Sequence, residues 1–252
     1  MKTAIVTGAS SGLGREFVRQ LRTYFPEVEC CWLIARRAER LEELAAGSEG
    51  MEVQCLPLDL CDPMSFVAYQ EKLTAERPEV VLLVNNAGCG YLGRVGETET
   101  ALQTRMVDLN VRALTAITHM TVPFMAAGGR ILNVSSIASF CPNPRMTVYS
   151  STKAYVSSFT VGLAEELKER GITATAVCPG PMATEFLEVG GITGRSRTFE
   201  TLPYCDQVQV AGGALRAARA GRTIYTPTLF YKFYRVLAKL TPVKLMVKCT
   251  GT

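Results

Sequence analysis

Thr3-Ala-Ile-Val-Thr-Gly-Ala-Ser-Ser-Gly-Leu-Gly14 is the stretch on which the fold turns. Its first residues, Thr3 to Val6, hold three β-branched side chains among four and read as a strand. A turn from Thr7 to Gly14 follows, and then an amphipathic helix to about Tyr24. The glycines at 8, 12 and 14 permit backbone conformations that a side chain forbids, and they let a pyrophosphate approach the positive end of the helix. The Gly-x-x-x-Gly-x-Gly spacing differs from the Gly-x-Gly-x-x-Gly dinucleotide fingerprint but serves the same physical purpose. Gly8, Ser10, Ser11, Gly12, Leu13 and Gly14 are therefore candidate phosphate-binding positions.

Strand and helix patterns alternate outward from that turn. Strands are predicted over 31–35, 52–56, 80–84, 130–134, 172–177 and 222–225, with helices over 37–46, 63–76, 100–127 and 204–220 and one that carries Tyr149 and Lys153 and continues to about Arg170. Pro123 shortens or kinks the long helix that carries Asn110 and His119. Val80 to Val84 is continuously apolar, as expected of a parallel strand buried on both faces. The expected fold is α/β, a doubly wound parallel sheet of about seven strands with helices on both faces. No linker or composition shift divides the 252 residues, so one domain over 1–252 is expected, with a basic amphipathic extension at about 226–252.

Strand ends carry the chemistry in such sheets. The second strand ends at Arg36-Arg37, where an acidic residue would suit the ribose hydroxyl of NAD and an arginine suits the 2′-phosphate of NADP. Asp59-Leu60 follows the third strand, Asn85-Asn86-Ala87-Gly88 the fourth, and Ser135-Ser136 the fifth. Tyr149 and Lys153 lie four apart on a predicted helix, hence on one face. A cation about 4 Å from a phenol, at an effective dielectric of about 20, is worth about 4 kcal/mol, which would bring a tyrosine toward neutral-pH proton transfer.

Composition excludes several alternatives. The nine cysteines include no Cys-x-x-Cys pair, so reduced and mostly buried thiols are expected. A single histidine, His119, argues against a histidine-based dyad or a metal cluster. The chain runs directly into a strand without a secretory signal, and no window reaches the roughly 18 apolar residues of a membrane span, so a cytoplasmic protein is expected. The formal charge of +4 hides an asymmetry. After Asp206 there are eight basic residues and no acidic one; subtracting that +8 from +4 leaves residues 1–206 at −4.

In this order and spacing, the turn, Asp59, the Asn-Asn-Ala-Gly stretch at 85–88, Asn110, Ser136 thirteen residues before Tyr149, Lys153, Pro179-Gly180 and Thr184 resemble the short-chain dehydrogenase/reductase family in its standard-length form. The resemblance covers nearly the whole chain and implies a Rossmann-type fold and an NAD(P)-dependent enzyme. It implies Tyr149 as general acid/base, Ser136 as the group orienting the substrate oxygen, and Lys153 as the residue lowering the tyrosine pKa and binding the nicotinamide ribose. Asn110 would hold a water linking Lys153 to solvent. Gly8, Ser10, Gly12 and Leu13 would line the pyrophosphate turn, Asp59 and Leu60 would flank adenine, and Asn86, with Ala87 and Gly88, would meet the adenosine-side ribose region. Pro179, Gly180 and Thr184 would hold the nicotinamide end. Ser11 departs from the basic residue that NADP-preferring relatives often carry there, so the expected preference for NADP(H) over NAD(H) rests mainly on Arg36 with Arg37.

Loops after strands four, five and six are the substrate-facing segments in that family, and here they are apolar. Tyr91, Phe140, Met182 and Phe186 are candidate substrate residues beside Ser136. Such a lining favours a hydrophobic, steroid-like or lipid-like ketone or secondary alcohol; a 3-oxoacyl thioester reductase of lipid synthesis and a dinucleotide-sensing protein without turnover are the alternatives. Residues 190–201 read as a mobile lid. Thr226-Pro227 reads as an N-cap and first turn opening a helix to about Leu240, with Lys232, Arg235 and Lys239 on one face. That helix can meet an anionic membrane, the substrate pocket or another subunit. A homodimer or homotetramer is expected by resemblance, and no recognition fold suggests nucleic acid.

Overall fold

A computed structural model describes residues 1–250, so the last two residues of the extension expected at 226–252 lie outside the described residues. The strands are β1 (Lys2–Thr7), β2 (Cys30–Ala35), β3 (Glu52–Pro57), β4 (Glu79–Asn85), β5 (Met125–Val134), β6 (Thr173–Val177) and β7 (Ile224–Tyr225). They form one seven-stranded sheet in the order β3-β2-β1-β4-β5-β6-β7, with every neighbouring pair parallel. The order reverses between β1 and β4, which opens a crevice at their carboxyl ends. The helices are α1 (Gly12–Tyr24), α2 (Ala38–Ala46), α3 (Pro63–Glu76), α4 (Thr100–Val107), α5 (Leu114–Thr121), α6 (Thr147–Glu166), α7 (Glu185–Val189), α8 (Arg197–Thr201), α9 (Gln207–Arg219), α10 (Leu229–Leu240) and α11 (Val243–Cys249).

Alternation along the strands sorts the core into two layers. Ala4 and Val6 of β1 and Cys31 and Leu33 of β2 join Phe17 and Leu21 of α1 and Leu215 of α9 on one side. Ile5, Cys30, Trp32 and Ile34 join Tyr69 of α3 and Ile117 of α5 on the other. The adjacent cysteines thus fall on opposite faces, as the two-residue period requires. With both faces covered, the central strands read as unbroken apolar runs.

Several boundaries differ from the sequence expectation for identifiable reasons. The long helix expected over 100–127 is divided: α4 passes through a π turn, Asp108–Ala113, into α5, and a 3-10 turn, Val122–Phe124, ends it. Pro123 lies in that last turn and has no amide hydrogen to continue the ladder. β5 then begins at Met125, five residues earlier than expected. Helix α6 ends at Glu166, followed by the 3-10 turn Lys168–Arg170 and Gly171 at φ 68°. The N-cap of α10 is Thr228, whose hydroxyl accepts from the Tyr231 amide, and not Thr226, which is buried and accepts from Arg235. The segment expected as a lid, residues 190–201, is partly helical through α8, which Ser196 caps.

Candidate active site

The turn between β1 and α1 forms a cradle by backbone geometry. Gly8 has φ 66° and its amide donates to the Ile34 carbonyl at 2.7 Å; a Cβ there would meet the Ala87 Cα at 2.8 Å. A Cβ on Gly14 would sit 2.1 Å from the Gly8 carbonyl oxygen, so this glycine serves close packing behind the cradle and does not line it. Ser11 offers α1 no side-chain cap, which leaves the helix amides facing the turn. Asn86 pins the end of β4 to the turn, donating through Nδ2 to the Thr7 and Gly8 carbonyls, both at 3.1 Å.

A cleft of about 290 Å³ opens from this cradle. Gly8, Ser10, Ser11, Gly12, Leu13, Arg36, Arg37, Asp59, Leu60, Asn86, Ala87 and Gly88 line it together with Ser136, Tyr149, Lys153, Pro179, Gly180 and Thr184. The two arginines are not equivalent. Arg37 bonds Glu185 at 2.9 Å and Ser10 at 3.3 Å, and Arg40 holds the other oxygen of Glu185. Arg36 is exposed and, among the described residues, makes no hydrogen bond or ion pair.

Ser136, Tyr149 and Lys153 converge because β5 delivers the serine at its carboxyl end while α6 presents the other two from one face. Ser135 is a structural tie: its hydroxyl donates to the Lys153 carbonyl and meets Ser157 Oγ, both at 2.8 Å. Ser136 accepts from the Ala138 amide at 3.1 Å and reaches the Tyr149 phenol. Lys153 donates from Nζ to the Val134 carbonyl at 2.8 Å, 5.8 Å from the centre of the Tyr149 ring. Asn110, in the π turn, is 1% exposed. Its side chain bonds the Cys89 amide at 2.9 Å, the Cys89 carbonyl at 2.8 Å and Thr152 Oγ1 at 3.0 Å, tying the loop after β4 to α6. None of the described hydrogen bonds joins Asn110 to Lys153.

Electrostatics at this site run against the simple pairing argument. Burial pushes the Tyr149 phenol up to about 12, with the Ser136 hydrogen bond opposing it. Burial brings Lys153 down from 10.5 to about 8. The ammonium is directed to the Val134 carbonyl, and burial dominates both shifts. The expectation that Lys153 alone brings the phenol near neutrality is therefore corrected: both groups are driven toward their neutral forms.

The substrate end is apolar but not composed as predicted. Met182 and Phe186 line the cleft, and Phe186 lies 5.6 Å from the Tyr149 ring, centre to centre. Tyr91 and Phe140 do not line it. Phe140 packs instead on Tyr234 of α10 at 6.4 Å, a contact that needs the tertiary position of α10 to be seen. Tyr91 packs against the cluster of Leu92, Met106 and Ile192 from outside the cleft, in a loop held by a 3.0 Å bond from the Leu92 amide to the Gly190 carbonyl. Lining residues missed by sequence reasoning are Asn143, Met146, Phe199 and Leu202. Asn143 carries a buried side-chain oxygen with no partner, a feature that only the fold reveals.

A family model described as short chain dehydrogenase matches residues 2–190. The chain belongs to that family. Among curated relatives of this short-chain dehydrogenase, sulfoacetaldehyde reductase 2 of Chromohalobacter salexigens is 34% identical over 190 residues, 72% of this chain and 73% of its own. A short-chain dehydrogenase from Sphingobium yanoikuyae solved in complex with NADPH superposes with a TM-score of 0.78 at 28% identity, covering 96% of each chain. The bulky-bulky ketone specific alcohol dehydrogenase from Comamonas testosteroni gives 0.76 at 25% identity, covering 95% of this chain and 91% of that one. Short-chain dehydrogenases are NAD(P)-dependent oxidoreductases acting on CH–OH and C=O groups. The residues here fit such a dinucleotide: the glycine turn that lines the cleft faces helix amides without a side-chain cap, and the unpaired guanidinium of Arg36 lines the same cleft.

Proposed function

We propose that this short-chain dehydrogenase interconverts a hydrophobic ketone and its secondary alcohol with NADP(H), Tyr149 carrying the proton. The observation that carries the reading is the convergence of Ser136, Tyr149 and Lys153 at one end of a cleft whose adjoining wall is Met146, Met182, Phe186, Leu187, Phe199 and Leu202. That wall offers apolar contact and no charge, which favours steroid-like or lipid-like carbonyls over phosphorylated sugars or free acids. The ketone in the name of the Comamonas relative agrees with this.

The nicotinamide supplies the hydride in reduction and accepts it in oxidation. The chain's residues do the rest. Ser136 donates a hydrogen bond to the substrate oxygen and orients it toward the phenol. Tyr149, held protonated by burial, gives its proton to that oxygen as the alcohol forms, and takes it back in oxidation. Lys153, with its pKa near 8, changes protonation readily around neutral pH and restores the proton to Tyr149. Asn110 bonds Cys89 and Thr152 and so holds the loop and α6 in register, and the resemblance further gives it the water that links Lys153 to solvent. Gly8, Ser10, Ser11, Gly12 and Leu13 would hold the pyrophosphate, Asp59 and Leu60 the adenine, and Pro179, Gly180 and Thr184 the nicotinamide end.

Preference for NADP(H) rests on Arg36, the guanidinium left free to take a 2′-phosphate, while Arg37 is engaged by Glu185. The NADPH in the name of the Sphingobium relative supports this assignment. The test is oxidation of NADPH and NADH against steroid, fatty-acyl thioester and small carbonyl panels, with Tyr149→Phe as control. Turnover with NADPH on one hydrophobic class, lost in the variant, is the expected result. Turnover confined to small polar carbonyls, or equal in the variant, would overturn the proposal.

A further inference from the structure

Helix α10 is built with its apolar face outward. Its inner side is satisfied by the protein: Tyr231 is fully buried and donates to the Pro203 carbonyl at 2.6 Å, Tyr234 packs on Phe140, and Ala238 is buried. At 3.6 residues per turn, Leu229, Phe233, Val236 and Leu240 then form one stripe with Phe230 and Leu237 beside it. These six are 81%, 68%, 51%, 78%, 51% and 41% exposed, in that order. Isolated exposed apolar residues need no explanation, but six large ones on one helical face do.

Charge indicates what covers them. Lys232 and Lys239 are exposed along the edge of the stripe, next to Val236 by helical spacing. In α11, Lys244 and Lys248 are exposed beside Val243 and Leu245, which are 57% and 56% exposed. No acidic residue follows Asp206 in the chain. A second copy seated symmetrically on this face would bring lysines against lysines without a carboxylate from either segment. An anionic bilayer surface takes both components, apolar side chains into the acyl boundary and lysines onto phosphate headgroups.

We infer that α10 and α11 form a peripheral docking surface for anionic lipid membranes. The inner side of α10 also contacts the segments that bound the substrate cleft. A Cβ on Gly180 would meet the Tyr231 ring at 2.2 Å, and the Pro203 that Tyr231 holds directly follows the cleft residue Leu202. The surface so docked is therefore attached to a wall of the cleft. The docking itself stands without the substrate assignment, since it is read from α10 and α11 alone.

The experiment is flotation of the full chain with phosphatidylcholine vesicles and with vesicles containing phosphatidylglycerol, alongside light-scattering mass measurement in solution. Binding to the anionic vesicles, weakened between about 0.1 M and about 0.5 M salt, is expected. Lys232→Gln with Lys239→Gln should lower partition about fivefold per lysine. Phe233→Ser with Leu240→Ser should lower it at least tenfold, with thermal melting and solution mass unchanged. Three results would overturn the inference: no flotation with either vesicle, flotation that ignores Phe233→Ser with Leu240→Ser, or a fall in solution mass in that variant, which would assign the face to a second copy. Because these readouts need neither cofactor nor turnover, failure here leaves the enzymatic reading standing, and the reverse.

Discussion

Replacing Lys153 with methionine removes a buried cation that the fold holds at a cost. Burial lowers its pKa from 10.5 to about 8, a displacement that corresponds to about 3 kcal/mol. The sign follows from proton counts. Between about pH 8 and 10.5 the unfolded chain binds more protons at this residue than the folded protein, so wild-type stability rises with pH across that window. Below pH 8 the full cost is present. Against this, Lys153→Met leaves the Val134 carbonyl without its 2.8 Å donor, a loss of about 1–3 kcal/mol that does not vary with pH. The two contributions nearly offset one another at pH 7, so the absolute difference is a weak test and the slope is a strong one. Denaturant unfolding at pH 7, 8.5 and 10.5 should show the wild type gaining about 3 kcal/mol on the variant. Titration of Tyr149 affects both proteins and cancels. A difference in stability that stays constant over the window would refute the claim that Lys153 is charged at a desolvation cost.

Other outcomes follow from the same geometry. Tyr149→Phe keeps the ring against Phe186 and removes only the hydroxyl; kcat should fall at least about 100-fold, while cofactor affinity, read by fluorescence titration, stays within about twofold. Arg36→Ala should weaken NADPH binding by about tenfold or more and leave NADH nearly unchanged, whereas an equal loss for both would remove Arg36 from the 2′-phosphate assignment. Gly90→Ala places a Cβ 2.6 Å from Phe186 Cζ and 2.8 Å from Tyr149 Cδ2, so it should cost about 1–3 kcal/mol in unfolding free energy and lower kcat by displacing the phenol. Glu185→Gln breaks pairs between half-exposed partners, and calorimetry should show a stability change below about 1 kcal/mol.

The sheet was legible because a parallel strand between two helical layers must be apolar on both faces, and Val80 to Val84 or Cys30 to Ile34 cannot easily be anything else. The cradle was legible because glycine at 8 and 14 has a steric reason visible in its spacing. Boundaries were less so where a local signal competes with tertiary packing. Pro123 marked an end, but the π turn around Asn110 has no signature in residue type, and β5 gained five residues at its start from pairing with β4. Phe140 and Tyr91 failed as substrate residues because a loop's apolar character says that it packs, not against what.

Two features lay beyond the reach of the sequence. For Tyr149 and Lys153, helical spacing correctly gave the shared face, but the Coulomb argument assumed a dielectric and an orientation that sequence does not carry. The fold buries both groups and turns the ammonium to Val134, so desolvation is the largest cause of both shifts. For α10, the amphipathic period was equally plain, but a period fixes only the angle between faces and not which of them meets the core. The sequence grouped Lys232, Arg235 and Lys239 on one face, apart from Phe233, Val236, Leu237 and Leu240. The structure instead inserts Tyr231, Tyr234 and Ala238, draws Arg235 in to bond Thr226 at 3.3 Å, and leaves Phe233 and Leu240 outside. Tyrosine decides the orientation because its ring fills the space beside Gly180 while its hydroxyl finds the Pro203 carbonyl, and neither leucine nor phenylalanine could satisfy that carbonyl. The interior therefore selects the face with the matching polar tip, and the more apolar face is left for whatever binds the protein from outside.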